Sequence, residues 1–191
     1  MTSDADRLLL LRLAREAIAA HIAGARLPAP SRAGIFARFG GAFVTLHARG
    51  DLRGCIGHVE VDEPLGDVIP RCAVAACSSD PRFPPVTEAE VAGIEIEVSL
   101  LGPLEPIAGA DGIEVGRHGL IVERGWSRGL LLPQVAVEWQ WDIETFFAQT
   151  CHKAGLPRDA WKNGAKLWRF EAEVFGEAER TGLAGWAASA G

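Results

Sequence analysis

The chain has no long apolar run. None of its 191 residues lies in a stretch near the roughly 20 consecutive apolar residues that span a bilayer. The run Leu8–Leu11 is bounded by Arg7 and Arg12, too short even for the core of a signal peptide, and the preceding MTSDADR is acidic. This pattern predicts no membrane association and a cytoplasmic location. A basic surplus is missing too: 19 basic residues face 25 acidic ones, for a net charge of -6. The arginines are scattered rather than run together, so the electrostatic footprint of a nucleic-acid binder is absent. Internal repeats are lacking. The four cysteines, Cys55, Cys72, Cys77 and Cys151, contain no C-x-x-C pair, which predicts free thiols and no structural metal site.

What is present is enough for a sizeable core: 48% of residues are hydrophobic and 23% charged. That fits a single soluble domain over residues 1–191, with room for two lobes sharing a core. Ser3-x-x-Asp6 resembles a capping box and opens an amphipathic helix ending near Gly24, with Leu10, Ala14, Ala17, Ile18 and His21 on one face. ARLPAPSRAGIF reads as a loop. AFVTLHARGDLRGCIGHVEV holds two β-prone runs around Arg49-Gly50-Asp51, where Gly-Asp suits a two-residue hairpin turn. The RGD tripeptide is read as that turn and not as an adhesion motif.

A helix is predicted around Leu65 to Ser78, with Pro70 in its first turn or kinking it, and DPRFPP follows as a stiff extended loop. Thr87-x-x-Glu90 caps a short helix. IEIEVSL alternates as a half-buried antiparallel strand. GIEVGRHGLIVERGWSRGLLLP reads as two or three strands, Asp142 caps the helix IETFFAQTCHKA, and KLWRFEAEVF is a last strand with Trp168, Phe170, Ala172 and Val174 on one face. Residues 177–191 read as a loose tail in which Trp186 could dock. The expected fold class is α+β, a mostly antiparallel β-sheet flanked by three or four helices.

The densest chemistry lies in LRGCIG, residues 52–57. In a regular strand Arg53 and Cys55 share a face, and a nearby guanidinium favours thiolate over thiol. Gly54 and Gly57 would let a substrate, or another backbone, approach closely. His58 faces away unless a bulge at Gly57 turns it toward Cys55. The opposing reading is that Cys55 is a small buried residue among closely packed glycines. His118, in GRHGL, is a candidate general base or a turn residue. Arg82 is either an anion clamp held out by the prolines or the partner of Asp80. Cys151, near the end of its helix, reads as structural.

Six segments, LRGCIG, DPRFPPV, EVSLL, GRHGL, LLPQVAVEWQWD and CHKAGL, occur in an order that resembles the AMMECR-type domain, whose bacterial and archaeal members are called AmmeMemoRadiSam system protein A. The resemblance covers roughly residues 5 to 176. It implies an α+β fold with a larger and a smaller lobe, and company with a radical S-adenosylmethionine enzyme and a Memo-type protein. It nominates Arg53, Gly54, Cys55 and Gly57, with His118 and Arg82, around a cleft, and it names no cofactor.

Three readings follow. In the first, the protein is a small enzyme or enzyme component in which Cys55 attacks or binds a small molecule, Arg53 lowers its pKa and His118 moves protons. In the second, it is a non-catalytic module that binds a ligand or partner while Cys55 packs. The third, a nucleic-acid-associated regulator, sits poorly with the acidic charge.

Overall fold

The computed structural model describes residues 2–27, 29 and 32–177. It is α+β and its strand pairs are antiparallel. The chain divides into two compact units, one formed by Met1–Leu100 with Glu173–Gly191, the other by Leu101–Ala172.

The first unit opens with helix α1, Asp4–Ile22, whose N-cap Ser3 accepts the N–H of Asp6 as the capping pattern requires. Leu10, Leu11, Leu13, Ala14, Ala17 and Ile18 form its buried stripe. His21, expected on that stripe, is exposed, because the apolar face ends one turn earlier. Strands β1 (Ala42–Ala48) and β2 (Asp51–His58) make the expected hairpin. Its turn residues are Arg49 and Gly50, at φ 56° and 85°, not Gly-Asp. Two successive positive φ values match the right-handed twist of the flanking strands, and Asp51 is thereby freed to begin β2.

Helix α2, Leu65–Ser78, carries Pro70 in its interior and buries Val68, Ile69, Cys72, Ala73, Ala76 and Cys77. Strand β3, Ile94–Leu101, pairs with β1 on the side away from β2. Its residues Ile94, Ile96, Val98 and Leu100 join Ala42, Val44 and Leu46 of β1, the stripe of α1 and the face of α2 in one core. Each fully buried leucine or isoleucine there contributes about 1.5–3 kcal/mol. Ser99, expected to face solvent, is fully buried and its hydroxyl has no hydrogen-bond partner among the described residues.

This unit closes on its last residues. Glu173 accepts from Arg7 and from the N–H and hydroxyl of Thr2. Glu177 accepts from Arg15 and from the Ile96 N–H. Glu177, assigned from sequence to a loose tail, is therefore tied down. The remainder of that segment, including Trp186, lies outside the described residues.

The second unit holds β4 (Glu105–Ile107), β5 (His118–Arg124), β6 (Ser127–Leu131) and the first part of β7 (Lys166–Gly176), with β7 pairing both β4 and β5 and β5 pairing β6. Helix α3, Pro133–Glu138, occupies a stretch read without secondary structure; proline at its first turn costs no hydrogen bond. Asp142 caps α4, Ile143–Lys153, as expected. Residues 112–116 form no strand. Leu120, Val122, Leu131, Phe146, Phe147, Cys151 and Leu167 make the core of this unit, and the Phe147 and Trp161 rings stack at 4.5 Å.

Strand β7 does not alternate as read. Leu167, Phe170 and Phe175 are buried while Val174 is exposed, because its residues up to Ala172 serve one unit and those from Glu173 the other. Among the described residues, no helix is long and apolar enough to cross a membrane.

Candidate functional site

The LRGCIG segment is β2, as read, but its register differs. Gly54 pairs with Leu46 and Leu52 with His47, so Arg53 is an extra residue with no opposite number. A bulge of this kind bends the strand and re-aims the side chain it carries. Arg53 is fully engaged with the loop that precedes β3. Its Nε donates to Glu90 Oε1 at 2.9 Å, Nη1 to the Pro84 carbonyl at 2.8 Å and Nη2 to the Pro85 carbonyl at 3.3 Å. The side chain fastens the DPRFPP loop to β2. The Arg53 guanidinium, with the N–H and hydroxyl of Thr87, holds the Glu90 carboxyl down at about 2.

The guanidinium at Cys55 belongs to Arg82. Asp80, 4% exposed, is the anchor. Its carboxylate accepts from Arg82 Nε at 2.9 Å, Nη2 at 2.6 Å and the Arg82 N–H at 3.1 Å, and also from the Cys55 N–H at 2.8 Å. These donors, the Arg82 side chain first, hold the Asp80 carboxyl well below the usual carboxylate range. Arg82 Nη2 also donates to the Cys55 carbonyl at 3.3 Å. The Arg82 pKa is raised, by Asp80 first and further by the Cys55 side chain, both as a charge and as a hydrogen-bond partner. The two readings of Arg82, salt bridge or clamp, thus meet in one arrangement: a salt bridge to Asp80 fixes a guanidinium beside Cys55.

Cys55 is the one cysteine of the four that is not buried. Thr45, directly opposite it on β1, donates its hydroxyl to Sγ at 3.3 Å. Burial pushes the thiols of Cys72, to about 11, Cys77 and Cys151 upward, which keeps them protonated and unreactive near neutrality. Cys151, read as structural, is fully buried in the core of the second unit.

The glycines are explained by close approach. A Cβ on Gly54 would lie 2.2 Å from the Ala76 carbonyl oxygen of α2, and one on Gly57 would lie 2.3 Å from the Phe43 ring. Gly54 therefore admits a helix backbone, the second of the two approaches weighed from sequence, and Gly57 admits an aromatic ring. No bulge occurs at Gly57, and His58 stays on the opposite face from Cys55. Its Nε2 lies 2.8 Å from Asp62 Oδ1 and 3.7 Å from Glu63 Oε1. Potential metal-ligand atoms of these three residues fall within 4.8 Å of one another, a grouping the cysteine-based reading did not anticipate; Arg71 also pairs with Glu63 at 2.6 Å.

His118 belongs to the second unit, at the start of β5, and is buried. Its Nδ1 accepts the N–H of Glu114 at 2.9 Å while its own N–H donates to the Glu114 carbonyl. The ring locks the turn before β5, and with Nδ1 accepting, the neutral imidazole carries its proton on Nε2. Arg117 beside it pairs with Glu171 at 2.8 Å.

The family model described as AMMECR1 matches residues 11–175. A protein of Methanothermobacter thermautotrophicus is 48% identical over 88% of this chain and 92% of its own length. One of Methanocaldococcus jannaschii is 45% identical over 90% of each chain. The crystal structure of the uncharacterised protein PH0010 from Pyrococcus horikoshii is similar at a TM-score of 0.87 and 42% identity, covering 92% of this chain and 93% of the other. The order of motifs that begins at LRGCIG, the extent of the model match and the relatives that align along most of their length lead to one assignment: this chain belongs to the AMMECR1 family.

Proposed function

We propose that this AMMECR1-family protein is a cysteine-dependent enzyme or enzyme component that acts on a small molecule at Cys55. Arg82 takes the part that the sequence reading gave to Arg53. One observation carries the proposal: a half-buried thiol receives a hydrogen bond from Thr45 and lies beside a guanidinium that the buried carboxylate of Asp80 immobilises. Donors fixed around a sulfur favour its anionic, nucleophilic form, and they need no reorganisation when charge moves during reaction. His118 is not required by this reading, which rests on residues of the first unit alone. The radical S-adenosylmethionine and Memo-type partners implied by the resemblance belong to the same proposal, and co-purification with either protein tests them.

The test is limited alkylation of the native protein with iodoacetamide across pH 5 to 9, mapping which thiol reacts. Selective alkylation of Cys55, with an apparent pKa below the free-thiol value of about 8.5, supports the reading. A Cys55 that stays inert until the protein unfolds overturns it.

A second reading, a binding module without catalysis, is favoured by the close packing at Gly54 and Gly57, which accounts for both glycines with no substrate present. A Cys55→Ser variant that folds and keeps its ligand or partner supports the module.

A further inference from the structure

The surroundings of Cys55 select among electrophiles. Its thiol is half-buried, so a reagent of few atoms reaches it more readily than a bulky one. The Thr45 hydroxyl donates to the sulfur, and the Arg82 guanidinium, which donates to the Cys55 carbonyl at 3.3 Å, is held beside the same residue. Arg82 cannot swing away, because Asp80 holds its Nε, its Nη2 and its backbone N–H. A fixed cation and a hydroxyl at a thiolate suit an electrophile that splits between two electronegative atoms, because the departing atom takes up negative charge.

We propose that Cys55 reduces small hydroperoxides, with hydrogen peroxide the smallest of the class. The proposal rests on the reading of Cys55 as a nucleophile and adds its substrate class. Thiolate Sγ attacks the distal oxygen of the hydroperoxide; the S–O bond forms as the O–O bond breaks. Sulfur gives up two electrons, the distal oxygen stays on it with its hydrogen as a sulfenic acid, and the proximal oxygen leaves as alkoxide or hydroxide. Arg82 and Thr45 stabilise that leaving charge until solvent protonates it to an alcohol or water. A low-molecular-weight thiol is the reductant that closes the cycle. It condenses with the sulfenic acid to a mixed disulfide with loss of water, and a second thiol equivalent then releases Cys55 and leaves as the disulfide.

The experiment treats the full native chain with hydrogen peroxide, traps sulfenic acid with dimedone and maps the adduct by mass spectrometry, alongside the iodoacetamide rate. The expected result is an adduct at Cys55, formed with one equivalent of peroxide and roughly a hundredfold faster than for free cysteine at the same thiolate fraction. Arg82→Gln and Thr45→Val are expected to slow the peroxide reaction more than alkylation, since iodide leaves without such donors. A peroxide rate no faster than that of free cysteine, with Cys55 still alkylated readily, overturns the substrate class and spares the nucleophile. Inertness to both reagents until unfolding overturns both. These outcomes are read on the unsubstituted protein and do not depend on the folding of any variant.

Discussion

The two units solve the same packing problem with the same device. In the first, α2 lies so close to β2 that a Cβ on Gly54 would meet the Ala76 carbonyl oxygen at 2.2 Å; in the second, α4 lies so close to β6 that a Cβ on Gly129 would meet the Thr150 carbonyl oxygen at 2.6 Å. In each, a strand glycine also makes room for an aromatic ring: a Cβ on Gly57 would lie 2.3 Å from the Phe43 ring, and one on Gly119 would lie 2.3 Å from the Phe170 ring. Glycine in these strands is thus a general means of bringing layers together. The units differ in what stands beside the glycine. Cys151 of the second unit is fully buried, whereas Cys55 of the first is partly exposed and ringed by Thr45, Asp80 and Arg82. The candidate site therefore lies in the polar additions to a common scaffold, not in the glycines.

Substitutions can break that parallel. Gly54→Ala should cost the most, about 3 kcal/mol, because the carbonyl it would strike belongs to a helix backbone that cannot rotate aside; Gly129→Ala, with the shallower clash, should cost about 2 kcal/mol. Denaturant melts compare the two, and equal values would undo the ranking. Asp80→Asn should follow at about 1–2 kcal/mol, since it weakens the hydrogen bonds of Arg82 and of the Cys55 N–H around a buried group. The sign of its pH dependence is fixed. The Asp80 carboxyl titrates lower in the folded protein than unfolded, so its contribution is complete above the unfolded value of about 3.9 and is lost as pH falls below it. Melts of the variant from pH 6 to 3 should fall less steeply than those of the parent protein.

The next effect is kinetic. Arg82→Gln should slow alkylation of Cys55 about tenfold at pH 7, the equivalent of one pKa unit, while Arg53→Gln should leave the rate within about twofold because that guanidinium is engaged with Glu90 and two carbonyls. A larger loss with Arg53→Gln would restore the role first given to it. Smallest is Gly57→Ala, at about 1 kcal/mol, because the Phe43 ring can turn where a backbone cannot; a thermal melt is sufficient to measure it.

Helices α1, α2 and α4 were legible in the sequence because their signals are local: Ser3 and Asp142 cap as their spacing implies, and the stripe of α1 follows from 3.6-residue periodicity. The β1–β2 hairpin was legible for the same reason. What escaped depended on one inserted residue or on contacts distant in sequence. The bulge at Arg53 makes strict alternation fail at the position where the inference about Cys55 rested on it. Arg82 reaches Cys55 from 27 residues away; its pairing with Asp80 was legible as one alternative, but the strand residue it would meet was not. The irregular burial of β7 reflects its service to two units, a division that no residue pattern marks.

That division has a consequence for the order in which the protein is made. Residues 101–172 leave the ribosome as one uninterrupted run and hold every strand of their own unit. The first unit, begun earlier, lacks Glu173 and Glu177, the partners of Arg7 and Arg15, until the end of β7 has been synthesised. Although domains emerging from the N-terminus usually finish first, here the inserted unit can be complete while the one that started before it still waits for its closing residues.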